Sequence, residues 1–160
     1  MKLEYLVDNK NLLPTVAKWY FEEWGYLDKE NTLDKEMDRL QVYLNKDSLP
    51  LILLAIENGE LLGVAQLKYH EMSIYPNKDH WLGGVYVPKK HRGKGIAKKI
   101  IQELIIITQK LNIQTLYLQT ENLTGGLYRQ MGWMPIEQIN YHGIAVLVME
   151  KNIKAQWTES

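Results

Sequence analysis

The chain has 160 residues and a formal net charge of zero, with 46% hydrophobic and 24% charged residues. This balance is typical of a globular protein, and the length suits one domain that buries roughly 70% of its unfolded-chain surface. Because there is no net basic charge, we expect no nucleic-acid partner. Because there is no cysteine, disulfides, thiolate catalysis and cysteine-ligated zinc are excluded. We also expect no metal site.

The sequence contains no segment typical of export or membrane insertion. No apolar run approaches the roughly 20 residues that span a bilayer, and Met1–Glu4 lacks the apolar core of a signal peptide. We therefore expect a cytoplasmic protein without a membrane partner. A single domain is predicted over residues 1–152, followed by a polar C-terminal tail over residues 153–160.

The first half of the chain predicts one strand, two amphipathic helices and a hairpin. Apolar residues recur at helical spacing in the helices, and Asn58-Gly59 is the two-residue turn typical of a hairpin. The predicted elements, in order, are a strand at Leu3–Val7, helices at Asn11–Trp24 and Asn31–Leu44, and strands at Leu51–Ile56 and Leu61–Tyr69.

The second half alternates strands and helices around a basic turn. A polar loop covers residues 70–80 and precedes the next strand. The predicted elements are a strand at Trp81–Val87, a helix from Ile96 to Leu111, a strand at Thr115–Thr120, a short helix at Gly125–Met131, and a hairpin of Trp133–Ile139 with Ile144–Glu150.

The most informative segment is the basic, glycine-containing turn between the strand Trp81–Val87 and the helix that begins at Ile96. Glycine allows a tight turn with accessible N–H groups. The start of the helix adds unpaired N–H donors and the positive end of the helix dipole. Together these features predict a loop that binds phosphate.

Three other interpretations of this turn have to be considered. A Walker-type loop requires Gly-x4-Gly-Lys-Ser/Thr, and Gly93-Lys94-Gly95 has neither that spacing nor a hydroxyl after the lysine. A dinucleotide fingerprint requires Gly-x-Gly-x-x-Gly, and Lys98 stands at the place of the third glycine. The remaining alternative is a turn that caps an ordinary helix.

The strand, the motif Arg92-x-x-Gly95-x-Ala97 and the following helix resemble the acetyl-CoA pyrophosphate loop of the GNAT N-acetyltransferases. The order of elements matches that family along the whole chain. The resemblance implies an α/β (α+β) GNAT fold, with a mixed, mostly antiparallel central sheet of about seven strands flanked by four helices. Further segments, among them Trp19–Trp24 and Trp81–Val87, resemble a bacterial branch of the family with undefined acceptors.

The resemblance also implies acetyl-CoA, or coenzyme A, as co-substrate. The backbone of the strand before the loop would pair with the pantetheine arm, and the loop amides would bind the pyrophosphate, with added charge from Arg92 and Lys94. The implied pantetheine residues are Val85, Tyr86 and Val87, and the implied pyrophosphate residues are Arg92, Gly93, Lys94, Gly95, Ile96 and Ala97.

A second marker is the segment from Thr120 to Trp133. It resembles a segment late in the GNAT sequence in which an asparagine is followed by a tyrosine and then by Gly-Phe or Gly-Trp. It implies that Asn122 contacts the pantetheine and that the Tyr128 hydroxyl lies near the thioester sulfur. Tyr128 is placed by Tyr-x3-Gly-Trp, whereas the spacing to Asn122 is one residue shorter than the commonest form. The alternative is that Tyr128 is a structural core residue.

The acceptor amine arrives largely protonated, so a catalytic base is expected on the acceptor side. His70 and Glu71, at the end of a strand, are the favoured candidates, and the residues do not separate them. Asp79 and His80, before the next strand, are weaker candidates. A solvated loop charge is the alternative interpretation of each.

These inferences predict an acetyl-CoA-dependent N-acetyltransferase. It would move an acetyl group to a primary amine of a small molecule or peptide, by direct attack in a ternary complex. We expect a monomer or homodimer. The alternatives are an aminoglycoside-type acetyltransferase and a non-catalytic acyl-CoA-binding regulatory module. The acidic residues that favour a polycationic acceptor are Glu22, Glu23, Asp28, Glu30 and Asp34.

Overall fold

The computed structural model describes residues 1–153, which form seven strands and four α-helices. The strands are β1 (Lys2–Tyr5), β2 (Leu51–Glu57), β3 (Glu60–Tyr69), β4 (His80–Tyr86), β5 (Thr115–Thr120), β6 (Met134–Tyr141) and β7 (Ile144–Asn152). The α-helices are α1 (Leu13–Trp24), α2 (Leu33–Leu40), α3 (Ile96–Lys110) and α4 (Gly126–Gln130). The element order and the predicted fold class are confirmed.

The strands follow one another across the sheet in the order β1-β2-β3-β4-β5-β7-β6. The pairs β1-β2, β2-β3, β5-β7 and β6-β7 are antiparallel. In contrast, β4 and β5 are parallel and pair at Trp81 and Tyr117. The sheet is therefore mixed and mostly antiparallel, and β4 continues beyond that pair to Tyr86.

The described chain divides into two compact units, one of Met1–Leu67 with Gly84–Leu104 and one of Lys68–Gly83 with residues 105–153. In the first unit, α1 buries Val16, Ala17 and Tyr20 in a core that includes residues of α2, β2 and β3. This burial removes the apolar stripe of α1 from water, which accounts for the helical periodicity of its sequence.

The packing of α3 in the first unit depends on a glycine in β3. A Cβ atom at Gly63 would lie 3.0 Å from Ile96 and 3.1 Å from both Ile100 and Val87. The small residue therefore lets the first turns of α3 pack closely on the strand. This contact fixes the start of the helix, where the basic turn ends.

The second unit has its own apolar core beneath the polar loop that precedes β4. Met72, Trp81 and Val148 are fully buried there, with Tyr75 and Tyr117 packed against them. The Trp81 indole N–H donates to the Lys78 carbonyl oxygen, and the Lys78 ammonium lies 4.8 Å from the centre of the Tyr117 ring. The later part of the loop is thus tied to the core.

Several boundaries differ from those predicted by the sequence. α2 ends at Leu40 and continues as a 3₁₀ turn at Gln41–Tyr43, whereas the periodicity predicted a helix to Leu44. The last strand reaches Asn152, and the next residue, Ile153, is buried and donates its N–H to the Gln114 carbonyl. The rest of the predicted tail, residues 154–160, lies outside the described residues.

None of the helices in residues 1–153 combines the length and the hydropathy that a membrane-spanning helix needs.

Candidate active site

The turn between β4 and α3 has the backbone conformation that its glycines predict. Gly93 and Gly95 have φ values of +81° and +77°, which other L-residues adopt only with strain. A Cβ atom at either position would meet no atom within 4 Å. Glycine is therefore required here by the backbone, and the space beside the loop is open to a ligand.

The first turn of α3 adds hydrogen-bond donors to this open loop. The Lys99 N–H donates to the Gly95 carbonyl at 3.1 Å, which is a bond of the first helical turn. The N–H groups of Ile96, Ala97 and Lys98 precede that bond and have no partner within the helix. With the positive end of the dipole, they form a site suited to a phosphate group.

Part of the basic run before the loop is paired with Glu60, the first residue of β3. Glu60 accepts hydrogen bonds from Lys90 Nζ and from His91 Nε2, each at 3.0 Å. These two bonds hold the pKa of Glu60 below its ordinary value, so the carboxylate stays ionised. Lys94, in contrast, is exposed and takes part in no ion pair within residues 1–153, which leaves its charge available to an anion.

The Arg92 side chain lies back against the end of β4. Its Nε donates to the Val87 carbonyl oxygen at 2.8 Å, and its guanidinium carbon lies 5.9 Å from the centre of the Tyr86 ring. The sequence predicted a charge directed at phosphate and free backbone groups on Val87. In the structure, the Nε–H of Arg92 helps to close the turn by donating to the Val87 carbonyl. The contacts of Arg92 and Val87 with the cofactor stay predictions.

Tyr86 is in turn packed against the tryptophans of α1. Its ring centre lies 5.5 Å from that of Trp19 and 6.2 Å from that of Trp24. Both tryptophans are half-buried at the edge of the first core. These contacts pack both tryptophans of α1 against the end of β4.

Glu71 is held by two donors rather than left free. Its Oε1 lies 2.6 Å from Lys68 Nζ, and its Oε2 accepts from Gln119 Nε2 at 2.8 Å. A Cβ atom at Gly83 would contact both Lys68 and Glu71, so this polar group lies directly over the glycine. Gln119 is 48 residues away in sequence, and no sequence signal connects the two.

His70 has more open surroundings than Glu71. Its side chain is 54% exposed, and its Nε2 lies 3.8 Å from the Asp79 carboxylate. The backbone is fixed, because the His70 N–H donates to the Asp79 carbonyl oxygen at 3.0 Å and φ is +49°. The ring lies against Tyr69, which also contacts His80 at 5.5 Å between ring centres.

Tyr128 lies on α4 with its ring edge against buried Trp133, 6.2 Å between centres. The left-handed Gly132 (φ +93°) makes the turn that brings Trp133 back to Tyr128, where its N–H donates to the tyrosine carbonyl. Burial raises the pKa of the Tyr128 hydroxyl to about 12. No hydrogen-bond partner of this hydroxyl is found in residues 1–153.

Asn122 shapes the turn that leads into α4. Its Oδ1 accepts from both the N–H and the hydroxyl of Thr124, at 3.1 and 2.6 Å. A Cβ atom at Gly126 would lie 2.6 Å from Asn122 Nδ2, so glycine is required at that position. The carboxamide oxygen thus has a local structural role, and the contact of Asn122 with the pantetheine stays a prediction.

These features can be compared with known proteins. A sequence model of the acetyltransferase (GNAT) family matches residues 13–133 of this chain. This match confirms the family resemblance seen in Arg92-x-x-Gly95-x-Ala97 and in the order of elements. Among curated proteins, none is significantly similar to the chain.

Solved structures share the fold at low sequence identity. Ribosomal-protein-alanine N-acetyltransferase from Brucella melitensis is 21% identical, with a TM-score of 0.76 over 95% of this chain and 99% of that chain. Aminoglycoside 6'-N-acetyltransferase from Enterococcus faecium is 15% identical, with a TM-score of 0.71 over 96% of this chain and 97% of that chain. The acetyltransferase yncA from Salmonella typhimurium, solved with its cofactor acetyl-CoA, is 15% identical, with a TM-score of 0.75 over 95% of this chain and 93% of that chain.

Proposed function

The chain belongs to the GNAT acetyltransferase family, and from that premise we propose that it acetylates a primary amine of a small molecule or a peptide. It is an N-acetyltransferase, and its co-substrate is acetyl-CoA, which supplies the acetyl group and a thiolate leaving group. The observation that carries the proposal is the open loop at Gly93 and Gly95, which presents backbone donors at the start of α3.

The loop fits the pyrophosphate of acetyl-CoA. Two adjacent phosphates need several donors and little steric bulk, and both requirements are met where glycines precede a helix N-terminus. The Lys94 ammonium adds a positive charge, since it is in no ion pair of the described chain. The backbone of Val85 and Tyr86 is proposed to pair with the pantetheine amides, as an added strand would.

Tyr128 is proposed to assist the leaving thiolate. As the carbon–sulfur bond breaks, negative charge develops on sulfur, and a nearby hydroxyl stabilises it by donating a hydrogen bond or a proton. The raised pKa, about 12, keeps the Tyr128 hydroxyl protonated across neutral pH. Its lack of a partner within residues 1–153 leaves that proton available to a substrate.

His70 is proposed as the residue that takes a proton from the acceptor amine. The amine nitrogen forms the new bond to the acetyl carbon only after it has lost this proton. When the exposed imidazole accepts this proton it becomes positively charged, and the Asp79 carboxylate beside it stabilises that charge. Glu71 is less suited to accept a proton because both of its oxygens already accept from Lys68 and Gln119, and it is better placed to attract a cationic acceptor.

The proposed activity is tested by following coenzyme A release with acetyl-CoA and a panel of acceptors. The panel comprises small primary amines, aminoglycosides, and peptides with a free amino terminus. We expect release that depends on the acceptor, with a product heavier by one acetyl group in mass spectrometry. Binding of acetyl-CoA without release for any acceptor would instead indicate an acyl-CoA-binding module.

The phosphate-binding role of the loop is tested by Gly95→Ala with Gly59→Ala as a matched control. The two glycines have φ values of +77° and +78°, and both face open space, so alanine introduces the same backbone strain at each. We expect Gly95→Ala to weaken acetyl-CoA binding by about tenfold or more in calorimetry. Gly59→Ala should leave binding unchanged, and equal affinities of the two variants would contradict the assignment.

The role of Tyr128 is tested by Tyr128→Phe. Removal of the hydroxyl should lower kcat by roughly 10²- to 10⁴-fold while the affinity for acetyl-CoA stays nearly constant. In the wild-type enzyme, the hydroxyl is protonated at every pH below its pKa of about 12. Deprotonation of Tyr128 should therefore cause no fall in wild-type activity as the pH rises from neutral, as long as the pH stays well below that pKa. Full activity in the phenylalanine variant would make Tyr128 a structural residue.

The catalytic base is tested by comparing His70→Gln with Glu71→Gln at saturating acetyl-CoA. His70→Gln should lower kcat by roughly 10²-fold and recover partly at alkaline pH, where more of the acceptor amine is already neutral. Glu71→Gln should mainly raise KM for the acceptor, because it removes a negative charge. The opposite pattern, a kcat loss confined to Glu71→Gln, would assign the base to Glu71.

A further inference from the structure

The strand β4, which is proposed to bind the cofactor, has a kink at Gly84 that strongly favours glycine. Its φ is +55°, in the middle of a strand. A Cβ atom there would lie 2.7 Å from the Tyr20 hydroxyl oxygen and 2.8 Å from the Gln66 amide. Both backbone conformation and space therefore exclude a side chain, and the strand changes direction between Gly83 and Val85.

The kink is held from inside the core by Tyr20. The tyrosine hydroxyl donates to the Gly84 carbonyl oxygen at 2.8 Å, although the residue is 4% exposed. Burial raises the pKa of this hydroxyl above its ordinary value, and the side chain of Gln66 is its second partner. The phenol is thus a neutral, fixed donor, and the Gly84 carbonyl is directed into the core.

The direction of this carbonyl determines the direction of the next amide. In a trans peptide, the C=O and the N–H of the same peptide unit point to opposite sides. With the Gly84 carbonyl directed at Tyr20, the Val85 N–H must point away from α1. The same helix contacts the strand again two residues later, where Trp19 packs on the Tyr86 ring.

We propose that Tyr20 is a positioning residue for acetyl-CoA, because its bond to Gly84 sets the direction in which β4 presents the Val85 and Tyr86 backbone to the pantetheine arm. The inference rests on the proposed function, since it assumes that this strand binds the cofactor. Tyr20 itself is buried, so we expect it to act through the backbone of β4 and not by direct contact with a substrate. Its effect passes through the peptide unit between Gly84 and Val85.

The test compares Tyr20→Phe with the control Tyr43→Phe. Tyr43 is buried in the same core, at 8% exposed, and no hydrogen bond joins it to β4 within the described chain. Both variants remove one hydroxyl from the core, so a loss of thermal stability is possible in each. We expect Tyr20→Phe alone to weaken acetyl-CoA binding by about tenfold in calorimetry and to raise KM for acetyl-CoA to a similar extent.

The outcomes separate this inference from the proposed function. If the wild-type protein binds acetyl-CoA and Tyr20→Phe binds it equally well, the positioning role is wrong and the function stands. If the wild-type protein does not bind acetyl-CoA, both the positioning role of Tyr20 and the proposed function are wrong. Should Tyr20→Phe fail to fold, Gln66→Leu replaces it, since it removes the second partner of the phenol. A smaller loss of affinity is then expected, and unchanged affinity would overturn the inference.

Discussion

The conformation of the chain from the middle of β4 to the start of α3 depends on positive φ angles at Gly84, Gly93 and Gly95. The first glycine is needed because Tyr20 and Gln66 fill the space of its side chain, and the other two because they make a tight turn into a helix. Substitution at Gly84 would therefore disturb the core. Substitution at Gly93 or Gly95 would add backbone strain and bulk on the open side, where we propose that a ligand binds.

The charges around this segment are divided between structure and ligand binding. Glu60 forms an ion pair with Lys90 and a hydrogen bond with His91, and Arg92 donates to the backbone at the end of β4. The exposed Lys94 and the free amides of α3 remain for an anion. A local basic run thus coexists with a net charge of zero, which suits one compact polyanion better than an extended one.

The acceptor is not determined by the fold. The neighbours that share it include enzymes described as acting on aminoglycosides and on a ribosomal protein. Their sequence identities to this chain are low enough to indicate a shared fold but not a shared substrate. In this chain, the proposed candidates for acceptor recognition are the exposed His70 and the partly buried Lys68–Glu71 pair. Selectivity then depends on a few side chains placed on a common scaffold.

The sequence by itself determined the order of elements, the hairpin at Asn58-Gly59, the tight glycine turn before α3 and the family, because these depend on residues close together in the chain. Tertiary structure alone decided that Arg92 turns back to Val87, that Gln119 and Lys68 hold Glu71, and that Tyr20 bonds to Gly84. Two glycines within β4 could have signalled its kink. The partner of that kink is 64 residues away, and only packing of α1 against the strand brings the two together.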